Sequence, residues 1–352
     1  MSRTTVAAFP RDLSGNPYCA LLYRHLEEAG IDVIAGDELS PAWIVRHRAD
    51  VGVLHLHWPE MHYRGPGGAV TARSAAAFVA SILLARRLGY RIVWTAHNAL
   101  PHEPHPADVR LRALLMRVAR VVVHGDAARA TLPSSRWPVT VVPHGHYIGW
   151  YPDTVGEDEA RRRLGLRPTD HVTLFFGQLR AYKGLDDLLQ AFSAHRDPRR
   201  RLVIAGRPVT SRDATEAHAA AERDERIQVH DRHIPDDEVQ VFFRAADFVA
   251  LPYRRVLTSG AAMLALSFGR PVVAPHTGCL AELSARGCAI TYSPAGRTAL
   301  ANALDRAAAT DARPWRRRAR TAAETMHWDA IATAYARVYG LPVRGAAPRL
   351  SA

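Results

Sequence analysis

The sequence predicts an α/β protein of two doubly wound, Rossmann-like domains facing a cleft, and three observations carry that expectation. The chain has 352 residues, more than the roughly 250–300 that a single hydrophobic core usually supports. Short, continuously apolar runs alternate with helix-period stretches from end to end, as parallel strands covered on both faces require. The alternation lapses once, over PHGHYIGWYPDTVGEDEARRR at 143–163, where Pro and Gly cluster.

Taken in order, the first half reads as strands at 5–9, 31–35, 51–57, 91–96, 120–124 and 139–142, with helices at 17–29, 71–88 and 107–118. The second half reads as strands at 171–176, 201–205, 226–230, 247–251, 271–275 and 288–292, with helices at 184–194, 211–222, 236–245, 259–268 and 297–308. Glu157, Asp158 and Glu159 stand just before Ala160–Leu164; acidic residues in a first helical turn explain them without a metal. The expected boundaries are an N-terminal domain over 1–148, a C-terminal domain over 149–322, a closing helix over 323–340 and a disordered tail over 341–352.

Composition narrows the class. The chain is 48% hydrophobic and 23% charged, as soluble globular proteins are. Its three cysteines, Cys19, Cys279 and Cys288, show no paired spacing, which fits a reducing compartment and speaks against structural zinc. The first residues lack a signal-peptide core. The longest greasy run, AAAFVASILLA at 75–85, is too short to span a bilayer and ends on Arg86 and Arg87, so a cytoplasmic protein, at most peripheral at a membrane, is expected. The net charge of +12 favours anionic partners. RRR at 161–163, 199–201 and 316–318 has no interleaved aromatics and reads as solvated faces, so no specific nucleic acid is expected. The basic stretches 73–87 and 110–120 suit an anionic membrane surface, although packing on their own sheet is the commoner use of such helices.

Ligands of such sheets bind beyond the carboxyl ends of the strands. The first strand leads into PRDLSGNPY at 10–18, which is not GxGxxG, so no nicotinamide cofactor is expected; Gly15 there gives a ligand access to backbone. The strand at 171–176 leads into GQLRAYKGLDDLLQAF at 177–192. Gly177 permits a sharp exit, and Arg180 and Lys183 stand before a helix that starts near Gly184. Two cations beside a helix start suit a diphosphate and the charge that develops as it departs. LTSGAAMLALSFGRPVVAP at 257–275 reads as a core helix over Ala261–Phe268, opened by the N-cap Ser259; Gly260 leaves backbone N–H groups open to an anion. HLHWPE at 55–60 and TAHNALPHE at 95–103 end strands. His55 is expected to be structural, and His102 and His105 to be tolerated loop residues. Glu60, Glu103 and Asp12 are the carboxylates that could serve as a base there. No Asp-x-Asp pair is present, and no catalytic metal is required.

FFGQLRAYKGLDDLLQAF at 175–192 resembles the phosphate-binding segment of glycosyltransferases with the B-type fold, notably their family 4. VVPHGH at 141–146, AADFVALPY at 245–253, SFGRPVVAPHTGCLAEL at 267–283 and HWDAIATAYARVYG at 327–340 resemble further segments of that group, in the same order. The resemblance implies the glycosyltransferase-B fold and a nucleotide-diphosphate sugar held by the second domain as substrate, with no cofactor. It places Arg180, Lys183 and the amides at Ser259 and Gly260 on the diphosphate, and Glu282 as a donor-side acidic residue. It makes His97 the histidine that touches the donor sugar, and an acceptor hydroxyl, on a polysaccharide, lipid-linked or natural-product molecule, the recipient. It also implies that the closing helix packs on the first domain. One departure is plain. The Glu-x7-Glu pair usual in family 4 is replaced here by Val256 and Leu264, so its ribose contacts and retaining stereochemistry do not carry over. A nucleotide-sugar epimerase and a non-catalytic sugar-nucleotide-binding subunit are the alternatives.

Overall fold

The computed structural model describes residues 4–65, 68–101, 104–296 and 298–343. Most of the tail expected over 341–352, together with His102 and Glu103, lies outside the described residues. The chain divides into two compact units, the first made of residues 1–145 and 326–352 and the second of 146–325.

In the first unit come β1 (Thr5–Phe9), α1 (Tyr18–Glu28), β2 (Val33–Ala35), α2 (Pro41–Arg46), β3 (Val51–Leu56), α3 (Ala72–Arg87), β4 (Arg91–Thr95), α4 (Pro106–Val118), β5 (Arg120–Val123), α5 (Asp126–Thr131) and β6 (Thr140–Val141). The second unit carries α6 (Glu157–Arg163), β7 (His171–Phe176), α7 (Leu185–Ser193), β8 (Arg200–Ala205), α8 (Ser211–Arg223), β9 (Ile227–His230), α9 (Asp236–Ala245), β10 (Phe248–Ala250), α10 (Gly260–Ser267), β11 (Val272–Pro275), α11 (Gly278–Ala285), β12 (Ala289–Tyr292), α12 (Ala299–Ala308) and α13 (Ala312–Glu324). The chain then returns to the first unit as α14 (Trp328–Tyr339).

Both sheets are parallel and six-stranded, ordered β2-β1-β3-β4-β5-β6 and β12-β11-β10-β7-β8-β9. The strands are rich in Val, Ile and Leu because helices cover both faces: Val53, Leu54, Val93 and Val122 in the first unit, and Leu174, Val203, Val249 and Val273 in the second, are almost fully buried. Strand order reverses between β1 and β3 in one sheet and between β7 and β10 in the other. The loops leaving these strands therefore diverge and open a crevice at the carboxyl edge. α14 packs on α1 and β4, where Tyr335 and Tyr339 are fully buried.

The structure corrects three expectations. The arginine triplets are not simply solvated faces. Arg161 and Arg200 are buried and bond to Asp247 (3.0 Å) and Asp305 (2.6 Å), and Arg316 bridges Glu157 and Asp247. A fixed guanidinium fork can tie helix to strand this way where carboxylates stand near strand starts. His105 is not an idle loop residue: its Nδ1 accepts from the Ala107 amide at the start of α4, and Asp108 returns a bond to the His105 amide. Glu282 sits on α11, a helix, rather than in a loop.

Gly145, at the end of the first stretch of unit one, touches the start of α14. A Cβ there would lie 2.3 Å from the Trp328 ring, which is buried and cannot swing away. Gly145→Ala is expected to cost about 1–3 kcal/mol of stability; an unchanged urea midpoint and slope would contradict this packing.

Candidate active site

In the second unit the site grows from the reversal between β7 and β10. Gly177, leaving β7, has φ +106°, a value open to glycine, and its Cα hydrogens face the Lys183 ammonium: a Cβ there would stand 3.0 Å from Nζ. A short 3-10 turn, Ala181–Lys183, carries the lysine inward, and Gly184 (φ +68°) turns the chain into α7 while passing the Pro252 carbonyl too closely for any side chain. Arg254 locks this turn. It donates to the Ala181 carbonyl and to Asp186 and Asp187 in the first turn of α7, so those carboxylates are spent on Arg254.

Lys183 is buried and has no carboxylate partner among the described residues. Its Nζ stands 5.8 Å over the Tyr253 ring, whose face attracts a cation. Burial first, and Arg180 second, push its pKa down to about 8. Arg180 bonds to Gln178 (3.1 Å) and has no carboxylate partner among the described residues. The Ser259 hydroxyl, at the start of α10, accepts from the Ala262 amide (3.1 Å) as N-cap, and its nearness partly offsets the rise that burial gives the Tyr253 pKa. Ser259 itself is thus occupied by capping. The Gly260 and Ala261 amides, first and second in the helix, have no intrahelical acceptor. Burial raises the Cys279 pKa to about 12, with the Ser259 backbone opposing the rise and Glu282 adding to it. Lys183 and Ser259 thus both lie beside Tyr253, Gly177 lies against Lys183, the Arg180 charge acts on Lys183, Gly260 follows Ser259, and Glu282 stands one turn along α11 from Cys279; Tyr253 and Arg254 went unread in the sequence.

In the first unit, His57 follows β3 and His97 follows β4, with the His57 Nδ1 3.0 Å from His97 Nε2. Trp58 stacks on His97 at 4.5 Å and 15°. Glu60 lines a small pocket with His57, Trp58, Trp94, Asn98 and Arg112. Arg64, the nearest cation, is bound to Asp108. Burial therefore dominates and raises the Glu60 pKa. Asp12 is exposed and accepts from the Leu13 amide. Gly15 (φ +73°) holds a turn with open space around it. Among the described residues, the group with metal-ligand spacing is His25, Glu28 and Asp329 on α1 and α14, apart from all of these.

The profile described as Glycosyl transferases group 1 matches residues 170–310. A GDP-mannose:glycolipid 4-beta-D-mannosyltransferase of Xanthomonas campestris pv. campestris is 32% identical over 264 residues, 74% of this chain and 70% of that protein. The chain is a group 1 glycosyltransferase. It moves a sugar from a nucleotide-diphosphate donor to an acceptor hydroxyl. A D-inositol 3-phosphate glycosyltransferase of Corynebacterium efficiens shares 35% identity over 161 residues, 42% of this chain and 37% of that protein. Among solved structures, the sucrose-phosphate synthase of Thermosynechococcus elongatus has a TM-score of 0.71 at 18% identity, covering 96% of this chain and 98% of that one. HepE of Anabaena, solved with UDP, has a TM-score of 0.72 at 17% identity, covering 96% and 99%. These two likenesses establish the glycosyltransferase-B fold.

In this glycosyltransferase Lys183 makes a measurable stability deficit. The unfolded chain keeps its proton up to about pH 10.4, the folded protein only to about 8. Between those values the unfolded state binds more protons, so stability rises with pH; below pH 8 the deficit is constant, at roughly 3 kcal/mol. Lys183→Met is expected to be more stable than the parent at pH 7 by a deficit of that order and to lose the difference by pH 10, read from urea unfolding at both values. A variant less stable at pH 7 would contradict the burial of an unpaired ammonium.

Proposed function

We propose that the enzyme transfers a hexose from GDP-mannose or a close nucleotide-diphosphate analogue to a glycolipid hydroxyl, with inversion and without a metal. The observation that carries this reading is the pair of cations, Arg180 and Lys183, at the β7–β10 reversal, with no carboxylate against either among the described residues. They meet the diphosphate, and the Gly260 and Ala261 amides add their partial charges. As the bond from the anomeric carbon to the phosphate oxygen breaks, the Lys183 ammonium takes up the charge on the leaving diphosphate. The acceptor oxygen forms the new bond and gives its proton to the Glu60 carboxylate, which burial makes a stronger base than an exposed one. His97 contacts the substrate beside Glu60, and Glu282 stands on the donor side. The donor, acceptor and β-linkage are taken from the name of the Xanthomonas relative, and the replacement of the Glu-x7-Glu pair agrees with a different stereochemical course.

The test is turnover with GDP-mannose and a glycolipid acceptor. Lys183→Ala should lose at least about 10²-fold in kcat and Glu60→Gln about 10²–10⁴-fold, with a β-linked product by NMR. Full turnover by Lys183→Ala would end this reading of the diphosphate site.

A glycolipid acceptor calls for a lipid-facing surface. No described helix is long and apolar enough to cross a membrane. Arg73, Arg86 and Arg87 on α3 and Arg110 and Arg117 on α4 are exposed and have no carboxylate partner among the described residues, with Leu83 (45% exposed) and Val109 (47%) beside them. Arg112 and Arg120, by contrast, are held by the Ala99 and Val338 carbonyls. We propose that this face lies on an anionic bilayer, each cation adding about 1 kcal/mol. Joint substitution of Arg86, Arg87 and Arg110 by Glu should abolish flotation with phosphatidylglycerol vesicles; unaltered flotation would exclude this face.

A further inference from the structure

A hydrogen-bonded chain of buried side chains runs through the first unit and ends at His97. Tyr18 Oη lies 2.9 Å from Tyr335 Oη, which lies 2.8 Å from Thr95 Oγ1; Thr95 Oγ1 is 2.8 Å from His55 Nε2. The other nitrogen of His55, Nδ1, has two phenols at 2.8 Å, Tyr23 and Tyr339. Tyr23 also stands 2.6 Å from His57 Nε2, and His57 Nδ1 meets His97 Nε2 at 3.0 Å. Tyr23, Tyr339 and His55 are fully buried, so every proton in the chain must find an acceptor within it.

Counting those protons fixes their positions. Burial holds the phenols far above their usual pKa and, with neighbouring imidazoles, presses His55, His57 and His97 well below theirs; all are neutral. Tyr339 Oη has one acceptor among the described residues, His55 Nδ1, and donates to it. The His55 proton is then on Nε2 and goes to Thr95. Since one lone pair takes one good hydrogen bond, Tyr23 gives its proton to its other neighbour, His57 Nε2. His57 is left with its proton on Nδ1, which it donates to His97 Nε2. The lone pair of His97 is thereby used, and its own proton is on Nδ1, an atom with no partner among the described residues.

We propose that Tyr339, Tyr23 and His57 act as positioning residues that lock His97 in the Nδ1–H tautomer, so that it donates a hydrogen bond to a substrate oxygen and cannot serve as the base. A neutral imidazole kept as a donor can polarise or anchor an oxygen without competing for the proton being transferred. The donor role rests on the reading that His97 touches substrate; the tautomer does not. The groups that face His97 are Tyr18 from α1, His57 after β3, His124 after β5 and His144 after β6, with Trp58 stacked on the ring. No acid is among them.

The test uses the full chain labelled with ¹⁵N-histidine, in which two-bond nitrogen–proton correlations distinguish the two tautomers; His97 is assigned from the signals lost in His97→Asn. His57 and His97 should carry their protons on Nδ1, and His55 on Nε2. In Tyr23→Phe, His57 Nε2 loses the donor that fixed its tautomer, so His57 and His97 should no longer be held on Nδ1–H and should report both tautomers, and kcat should fall tenfold or more with the donor KM within twofold. If Tyr23→Phe does not fold, Tyr339→Phe frees the Tyr23 proton to choose between His55 and His57, and the His97 signals should report both tautomers. A native His97 protonated on Nε2, or one unmoved in both variants, would overturn the lock while leaving sugar transfer intact. Full kcat in His97→Ala would instead overturn its place at the substrate, whatever the spectrum shows.

Discussion

An ammonium enclosed without a carboxylate governs the second unit. Lys183 could have been neutralised by Asp186 or Asp187, two acidic residues within four positions of it; Arg254 takes both. The arginine thus performs two tasks at once, stapling the 3-10 turn to α7 and keeping acids off the lysine. What remains is a charge that the protein solvates poorly, facing two glycines' worth of thin backbone at Gly177 and Gly206, whose chains pass so closely that a Cβ on Gly206 would meet the Gly177 carbonyl at 2.1 Å. A ligand with concentrated negative charge relieves the strain; a neutral sugar does not. On the proposed reading, the charge that a diphosphate meets is the same charge that makes Lys183 costly to bury.

The first unit answers the polar-burial problem in the opposite way. Its sheet edge and α14 enclose imidazoles, phenols and a threonine, all uncharged and all within reach of one another. Such a network is expensive if one member is unsatisfied and rigid when every member is paired. The two units share a parallel six-stranded plan, yet one encloses an ammonium at its strand ends and the other a neutral network. The fold alone determines neither; the side chains at the carboxyl edges do.

All twelve strands were legible because parallel strands buried on both faces are continuously apolar, and their ends shifted by only a residue or two. The helices missed were short or unlike amphipathic helices. α2 and α5 have six residues each, and α13, ARPWRRRARTAAE, presents a charge run whose apolar side is little more than alanine. At the site, Arg180 and Lys183 were legible because motif and strand end coincide. Arg254 was not, since it acts on residues 67 and 68 positions away. Nor was Tyr339, which meets His55 across 284 positions: nothing local distinguishes a helix tyrosine that packs from one that delivers a proton. His55, expected to be structural, is buried as a core residue would be, yet it is also the member of the network that hands the tautomer on.

The return of α14 has a consequence for how the molecule is made. The second unit is one unbroken stretch, 146–325, whereas the first needs residues from both termini. During synthesis the second unit has its whole sequence out before the first has its last helix. Until Tyr335 and Tyr339 emerge, Tyr18 and Thr95 wait for the Tyr335 hydroxyl and His55 for that of Tyr339, so the half of the protein that is translated first is the half that is completed last.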